Sequence, residues 1–335
     1  MAHTPIRIAV DAMGGDFAPA AIVAGAYEAV RFSQSDFEIV LFGDEEKIRA
    51  EQAKLDATPR ISISPTTEVI EMHESPTVGI RTKRNSSIIR GLESHHDDHV
   101  QGFVSAGNTG AVMAASTLTL GRIQNVSRPT IGTFMPSAKG VCLIVDAGAN
   151  VDCKPRHLLE FGIMGSIYTK YMFDKPNPTV GLLSIGEEDT KGNEVTLETH
   201  ALLKKSKLNF VGNVEGRDIL KGSVDVVVCD GFVGNIVLKF AEGVPSFLKS
   251  KFKDYASQGF FKKIWMGLMS GTLRTMLKDM NYEEYGGVPL LGVNGVSIIG
   301  HGKSTPKAIR NMILKADEMI QRKINKHIEE TMMDM

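Results

Sequence analysis

The chain carries three cysteines in 335 residues, Cys142, Cys153 and Cys229, with no CxxC pair and no metal-type spacing. Cys142 and Cys229 stand inside apolar runs and read as small core residues. Net charge is nearly absent: 38 Lys and Arg against 39 Asp and Glu leave −1, so no bulk attraction to nucleic acid is expected. No apolar run approaches the ~20 residues of a membrane span. The opening MAHTPIRIAV enters a strand pattern at once, without the basic, apolar and cleavage regions of a secretory leader, so a cytoplasmic protein is expected. The dinucleotide fingerprint GxGxxG with its downstream acid is missing, as are HExxH and GxSxG. GHGKS (300–304) ends like a phosphate-binding P-loop, but Ser297 occupies the position where that loop needs glycine. These absences disfavour a nicotinamide dehydrogenase, a nucleoside triphosphatase, a zinc hydrolase and a covalent serine or cysteine nucleophile. The expectation is no metal and no cofactor.

What is present is centred on GFVSAGNTGAVMAASTLTLG, residues 102–121. A short β-prone run ends at Val104, breaks into Ser105-Ala106-Gly107-Asn108-Thr109-Gly110, and resumes as a small-residue helical pattern. Such a turn sets free backbone N–H groups and short hydroxyls at a helix N-terminus, which suits an anion.

The same grammar recurs. Continuous apolar runs at 6–10, 37–44, 61–65, 141–150, 179–189, 208–214, 225–235 and 295–304 predict strands covered on both faces. The fold class expected is α/β: a mostly parallel sheet sandwiched by helices, in one catalytic unit over 1–335. Six strands end in Gly-rich polar turns, DAMGGD, SAGNTG, DAGAN, SIGEED, DGFVGN and GHGKS. In parallel sheets ligands bind beyond the carboxyl ends of the strands, so these turns are expected to converge on one crevice. Its charged and polar members include Arg128, Lys191, Asp230, Asn235 and His301. The inventory suits holding phosphate and stabilising an oxyanion with fixed dipoles. Between Pro245 and Gly287 the pattern departs from a sheet protein. It predicts two helices broken near 257–259, the second rich in Phe260, Phe261, Ile264 and Trp265 beside Lys262 and Lys263. This helical excursion suits a membrane surface or a dimer contact.

DAMGGD with Pro19, SAGNTGA, Arg128-Pro129, DAGAN, GEEDTKGNE, DGFVGNIVLKFAEG and PLLGVNGVSIIGHGKS occur in this order, from about Ile6 to the C-terminal helix. Together they closely resemble the bacterial PlsX family, the phosphate acyltransferases of phospholipid synthesis. The resemblance implies an acyltransferase that moves a long-chain fatty acyl group from acyl carrier protein to inorganic phosphate. The resulting acyl phosphate feeds a glycerol-3-phosphate acyltransferase. It further implies a fold similar to the isocitrate/isopropylmalate dehydrogenases, a homodimer, and peripheral membrane association. Two positions depart in detail, Ala147 in DAGAN and Val233 in DGFVGN.

Within this reading Ser105, Gly107, Asn108, Thr109 and Gly110 cradle phosphate, and Lys191 with Arg128 supplies positive charge. Asp11, Asp146 and Asp230 orient amides, His301 or Lys191 rather than touch the anion, while Asn235 and His301 serve the oxyanion or the leaving thiolate. Lys191, Asn235, His301 and Asp230 form the catalytic set; Gly14, Gly15, Asn150 and Asn193 join the substrate-binding set. The basic run Arg81–Arg84 is a first guess for the carrier's contact. Two other readings stay open: a phosphotransacetylase-like enzyme using coenzyme A, and a non-catalytic regulator that binds a phosphorylated metabolite or lipid.

Overall fold

The computed structural model describes residues 5–276 and 286–334. In chain order the first half runs β1 (Ile6–Asp11), α1 (Ala20–Phe32), β2 (Phe37–Gly43), α2 (Glu45–Gln52), β3 (Ile61–Pro65), α3 (Pro76–Thr82), α4 (Ser87–His96), β4 (Gly102–Ser105) and α5 (Thr109–Thr119). There follow β5 (Thr130–Ser137), β6 (Gly140–Val145), α6 (Pro155–Met172), β7 (Thr179–Leu183), α7 (Glu194–Lys205), β8 (Asn209–Val214), α8 (Gly216–Lys221) and β9 (Val226–Val228). The chain continues through α9 (Gly231–Ser257), α10 (Phe260–Met276), β10 (Val288–Leu291), β11 (Val296–Ile299), α11 (Pro306–Gln321) and α12 (Ile324–Met333).

One sheet of eleven strands orders these as β3-β2-β1-β4-β11-β10-β5-β6-β9-β7-β8. It is mostly parallel, but not in one direction. Strands β3, β2, β1, β4 and β11 are mutually parallel, as are β6, β9, β7 and β8. Between the two sets, β10 pairs antiparallel with both β11 and β5, and β5 pairs antiparallel with β6. The two parallel sets therefore run opposite to one another.

Side chains alternate across the strands, so Ile8 and Val10 join one apolar cluster while Ala9 joins another. The larger cluster takes in residues of α1, α6, α11 and α12; the second takes in residues of α4 and α5 on the other face. Helix α1 owes its close approach to α11 to Gly25, where a Cβ would stand 2.6 Å from the Pro306 carbonyl oxygen and from Ile309. Helices α9 and α10 are joined at Gln258-Gly259 and pack on each other as a hairpin. Of α9 only Gly231 and Gly234 are buried, so most of its length stands away from the sheet. Residues 277–285 of the expected excursion lie outside the described residues.

Candidate active site

Five of the six strand-end turns form two hydrogen-bonded groups, and the SIGEED turn after β7 is bonded within itself and to β8. The first gathers the ends of β1, β4 and β11. Asp11 is buried, and its Oδ2 accepts the Ser105 hydroxyl at 2.6 Å while Oδ1 accepts the Met13 N–H at 3.1 Å. Burial pushes the Asp11 carboxyl above its ordinary value, against hydrogen bonds from Ser105, Ser87, Met13 and Gly14. Ser105 Oγ in turn accepts the Gly107 N–H at 3.0 Å. Gly14 sits so close that a Cβ would fall 2.3 Å from Asp11 Oδ2 and 2.7 Å from the Gly107 nitrogen. Gly15 has φ +102 and packs on the Gly302 carbonyl, which accepts the Asp16 N–H at 2.7 Å. Gly300 N–H donates to the Ser105 carbonyl at 2.8 Å. DAMGGD, SAGNTG and GHGKS are thus one unit.

Asn108 caps α5, its Oδ1 accepting the Ala111 N–H at 3.1 Å. Its Nδ2 donates to the carbonyls of Glu71, Met72 and Glu74 at 3.1, 3.2 and 2.9 Å. The Asn108 amide and the Ser105 hydroxyl are therefore spent on the turn and on the 71–74 loop. Ala111 N–H is capped and Val112 N–H bonds the Asn108 carbonyl. This leaves those of Thr109 and Gly110 as the first-turn donors with no intrahelical acceptor. His301 is exposed, and its Nδ1 accepts the Lys303 N–H at 3.1 Å. That bond assigns the proton of the neutral ring to Nε2.

The second group gathers β6 and β9. Asp146 is fully buried and accepts five N–H bonds. Three reach Oδ1, from Ile131, Gly148 and Ala149 at 3.2, 3.3 and 3.1 Å. Two reach Oδ2, from Asn150 N at 2.6 Å and Asn150 Nδ2 at 2.8 Å. Burial raises this carboxyl too, while a partner set made only of donors demands the ionised acceptor. Asn150 Nδ2 also reaches the Pro129 carbonyl at 2.8 Å, and Asn150 O accepts the Gly231 N–H at 2.8 Å. A Cβ on Gly234 would stand 1.9 Å from the Asp146 carbonyl oxygen, so α9 starts flush against DAGAN. Asp230 caps α9, its Oδ1 accepting the Val233 N–H at 2.8 Å. Asn235 is exposed beside Gly148.

Lys191 lies in the turn after β7, exposed, its N–H on the Glu188 carbonyl at 3.0 Å and its carbonyl accepting Ser184 Oγ at 3.0 Å. Asn193 caps α7, accepting Thr196 N and Oγ1 at 2.9 Å each. Arg128 is exposed and donates to the Asp152 carbonyl at 3.0 Å.

The turns expected to converge on one crevice stand instead on two oppositely directed sets of strand ends. Val288, at the start of β10, pairs with Ile299 of the first group; Leu291, at its end, pairs with Thr130, next to the Ile131 that binds Asp146. Four residues at a strand rise of about 3.3 Å separate the groups by roughly 10 Å along β10. Ala147 and Ala149 of DAGAN share an apolar cluster with Ala111 and Val112 of α5, so both groups border one face. Asn235 and His301 stand on different groups. Sequence reading gave no role to Ser87 or to the 71–74 loop, because their contacts depend on a cap and a register that no local pattern encodes.

A family model described as "Fatty acid synthesis protein" matches residues 6–327. The chain belongs to this family. Phosphate acyltransferase from Pelotomaculum thermopropionicum is 50% identical over 319 residues, 95% of this chain and 93% of that one. The phosphate acyltransferase of Thermodesulfovibrio yellowstonii is 47% identical over 328 residues, 98% and 94% of the two chains. Solved structures of two phosphotransacetylases share the family's fold. The Streptococcus pyogenes enzyme has a TM-score of 0.62 at 15% identity, covering 95% of this chain and 94% of its own. EutD from Staphylococcus aureus has 0.61 at 14%, covering 94% of both.

Proposed function

We infer that the protein transfers an acyl group to phosphate, with a long-chain acyl thioester of acyl carrier protein as donor and inorganic phosphate as acceptor. Family membership carries the class of reaction, and one observation supports the site. Two buried carboxylates, Asp11 and Asp146, shape amide-rich turns at the two ends of β10, leaving first-turn donors of α5 at one of them.

Phosphate needs no prior activation to attack a thioester, so no acyl-enzyme is required. One phosphate oxygen bonds the thioester carbon, the C–S bond breaks, and the sulfur leaves as thiolate and takes a proton. Acyl phosphate and free thiol result. The protein's contribution is to hold a dianion out of water, aim it, and meet the tetrahedral oxyanion with fixed donors. Thr109 and Gly110 N–H groups cradle phosphate, with Gly107, Gly14 and Gly15 keeping the backbone close. Lys191 and Arg128 add positive charge. His301, through Nε2–H, and Asn235 are the donors to the oxyanion or the thiolate. Asp230, Asn150 and Asn193 hold turns in place. No metal or cofactor enters this scheme.

The product supplies a glycerol-3-phosphate acyltransferase at the membrane. Among the described residues no helix is long and apolar enough to cross a bilayer. Exposed Phe260, Phe261, Ile264, Trp265 and Leu268 on α10 support surface contact with lipid, and Phe232, Ile236, Phe240 and Phe247 along α9 support a homodimer seam.

The decisive experiment measures thiol release from palmitoyl–acyl carrier protein and from palmitoyl–coenzyme A, each with and without phosphate. Phosphate-dependent release from the carrier substrate supports the proposal. Release confined to coenzyme A moves the donor to a soluble thiol, and release from neither removes the catalytic reading.

A further inference from the structure

Beside the Asp146 turn the surface changes character. Arg122, Arg128, Lys154 and Arg156 are all exposed there. Three of them are fixed in place. Arg122 donates to the Ser127 carbonyl, Arg128 donates to the Asp152 carbonyl, and Arg156 Nε pairs with Glu160 Oε1 at 2.9 Å. Opposing charge comes from Asp230, which acts on the neighbouring Cys153, and from two further acids. Asp152 is exposed, but Glu160 is buried and also accepts Ser127 N and Oγ at 2.8 Å each. Val151, 60% exposed, adds an apolar point among the cations. The fields of Arg128, Lys154 and Arg156 converge on His157, whose ring is held below its ordinary value by burial first and then by these three, with Glu160 opposing. A chain of net charge −1 has no general excess of cations to spread over its surface, so this concentration is local.

The patch is continuous with the candidate site. Arg128 adjoins Pro129, whose carbonyl accepts Asn150 Nδ2, and Val151 through Lys154 follow directly on Asn150. We propose that Arg122, Arg128, Lys154 and Arg156 form the docking face for the acidic protein that carries the acyl thioester. This rests on the acyl-transfer reading above. A carrier seated here delivers its thioester arm at the Asp146 group, while phosphate is held at the Thr109 end of β10.

The rival basic run at Arg81–Arg84 is offset by its surroundings. Lys83 is tied to Glu74 at 2.7 Å and to the Val69 carbonyl, and Glu68 binds the Asn85 N–H at 2.7 Å. Charge complementarity therefore favours the 122–156 face.

Binding of fluorescently labelled acyl carrier protein to the full chain tests this by anisotropy at low and high salt. Lys154→Glu keeps α6 intact, since an acidic group suits a helix start. Expected is a Kd raised about tenfold, further in Lys154→Glu/Arg122→Glu, with loss of the salt dependence that wild type shows and retention of affinity in Lys154→Arg. Wild-type affinity in the reversal variants overturns the assignment. So does loss of affinity confined to Arg81→Glu/Arg84→Glu, or a wild type that fails to bind the carrier at low salt. Phosphate-dependent thiol release from an acyl-pantetheine, which lacks the protein surface, is followed in the same variants. Its absence throughout, with the binding pattern intact, would sink the catalytic reading and leave the docking face standing.

Discussion

A single methyl group is enough to probe each of the two turns. In Gly14→Ala the new Cβ meets Asp11 Oδ2 at 2.3 Å and the Gly107 nitrogen at 2.7 Å, so the turn proposed to hold phosphate must move. A displacement near 1 Å costs about a hundredfold in rate, and kcat/KM for phosphate is expected to fall by at least that. In Gly234→Ala the Cβ meets the Asp146 carbonyl at 1.9 Å, a backbone atom that cannot swing aside. That variant is expected to lose about 3 kcal/mol of stability by denaturant titration. Lys191→Ala, at an exposed residue bonded among the described residues only through its main chain, should fold normally and lose about a hundredfold in turnover at saturating phosphate. Near-normal turnover would remove it from the mechanism.

Lys315 on α11 offers a pH test at the same scale. It is half-buried, with its ammonium 4.0 Å over the Phe134 ring, and burial lowers its pKa from 10.5 to about 7, Glu318 opposing. Between these values the unfolded chain holds the proton that the folded chain has released, so stability should rise with pH from about 7 to 10.5. The slope is less than about 1.4 kcal/mol per pH unit, and it should vanish in Lys315→Met when unfolding is measured across that range.

At the scale of elements, Asn108 is where a helix cap and a loop meet. Asn108→Asp keeps the oxygen that caps α5 but removes the three bonds from Nδ2 to the 71–74 carbonyls. Faster amide exchange or proteolysis confined to that loop is the expected outcome, with α5 still protected. Helix α10 makes the matching prediction for the surface. Phe261→Glu/Trp265→Glu should abolish cosedimentation with anionic vesicles if these exposed rings meet lipid.

The elements also show what was legible in advance. The inner parallel strands read as unbroken apolar runs because they are covered on both faces, whereas the edge strands β3 and β8 are only partly buried, and the Gly-rich turns stand out by composition. The two strands that reverse the sheet were not among the sequence-predicted strands. β5 contains Pro136 and β10 contains Pro289, residues that lack the ladder donor and argue against a central strand. The structure tolerates both because each proline pairs on one side only. Pro136 faces Val141 beyond the end of the β10 ladder, and Pro289 faces Ile298 before the β5 ladder begins. The division of the strand-end turns into two groups follows from that reversal, so it escaped the sequence along with these strands. Side-chain partners were not legible. Asp146 was read as an orienting group, but its five donors come from a register that only the fold supplies.

For the whole molecule, the junction at β10 decides more than topology. Two residue pairs hold β10 to β11 and two more hold it to β5, whereas β1 and β2 share six. Mechanical compliance in a sheet concentrates where the ladder is thinnest. The ladder between the two parallel sets is therefore narrow, although one apolar cluster spans both, and in the proposed reaction the nucleophile and the electrophile are bound on opposite sides of it. In that scheme small shear at β10 changes the distance between the reacting atoms, so substitutions at its four residues are expected to alter the rate of transfer without removing a contact to either substrate.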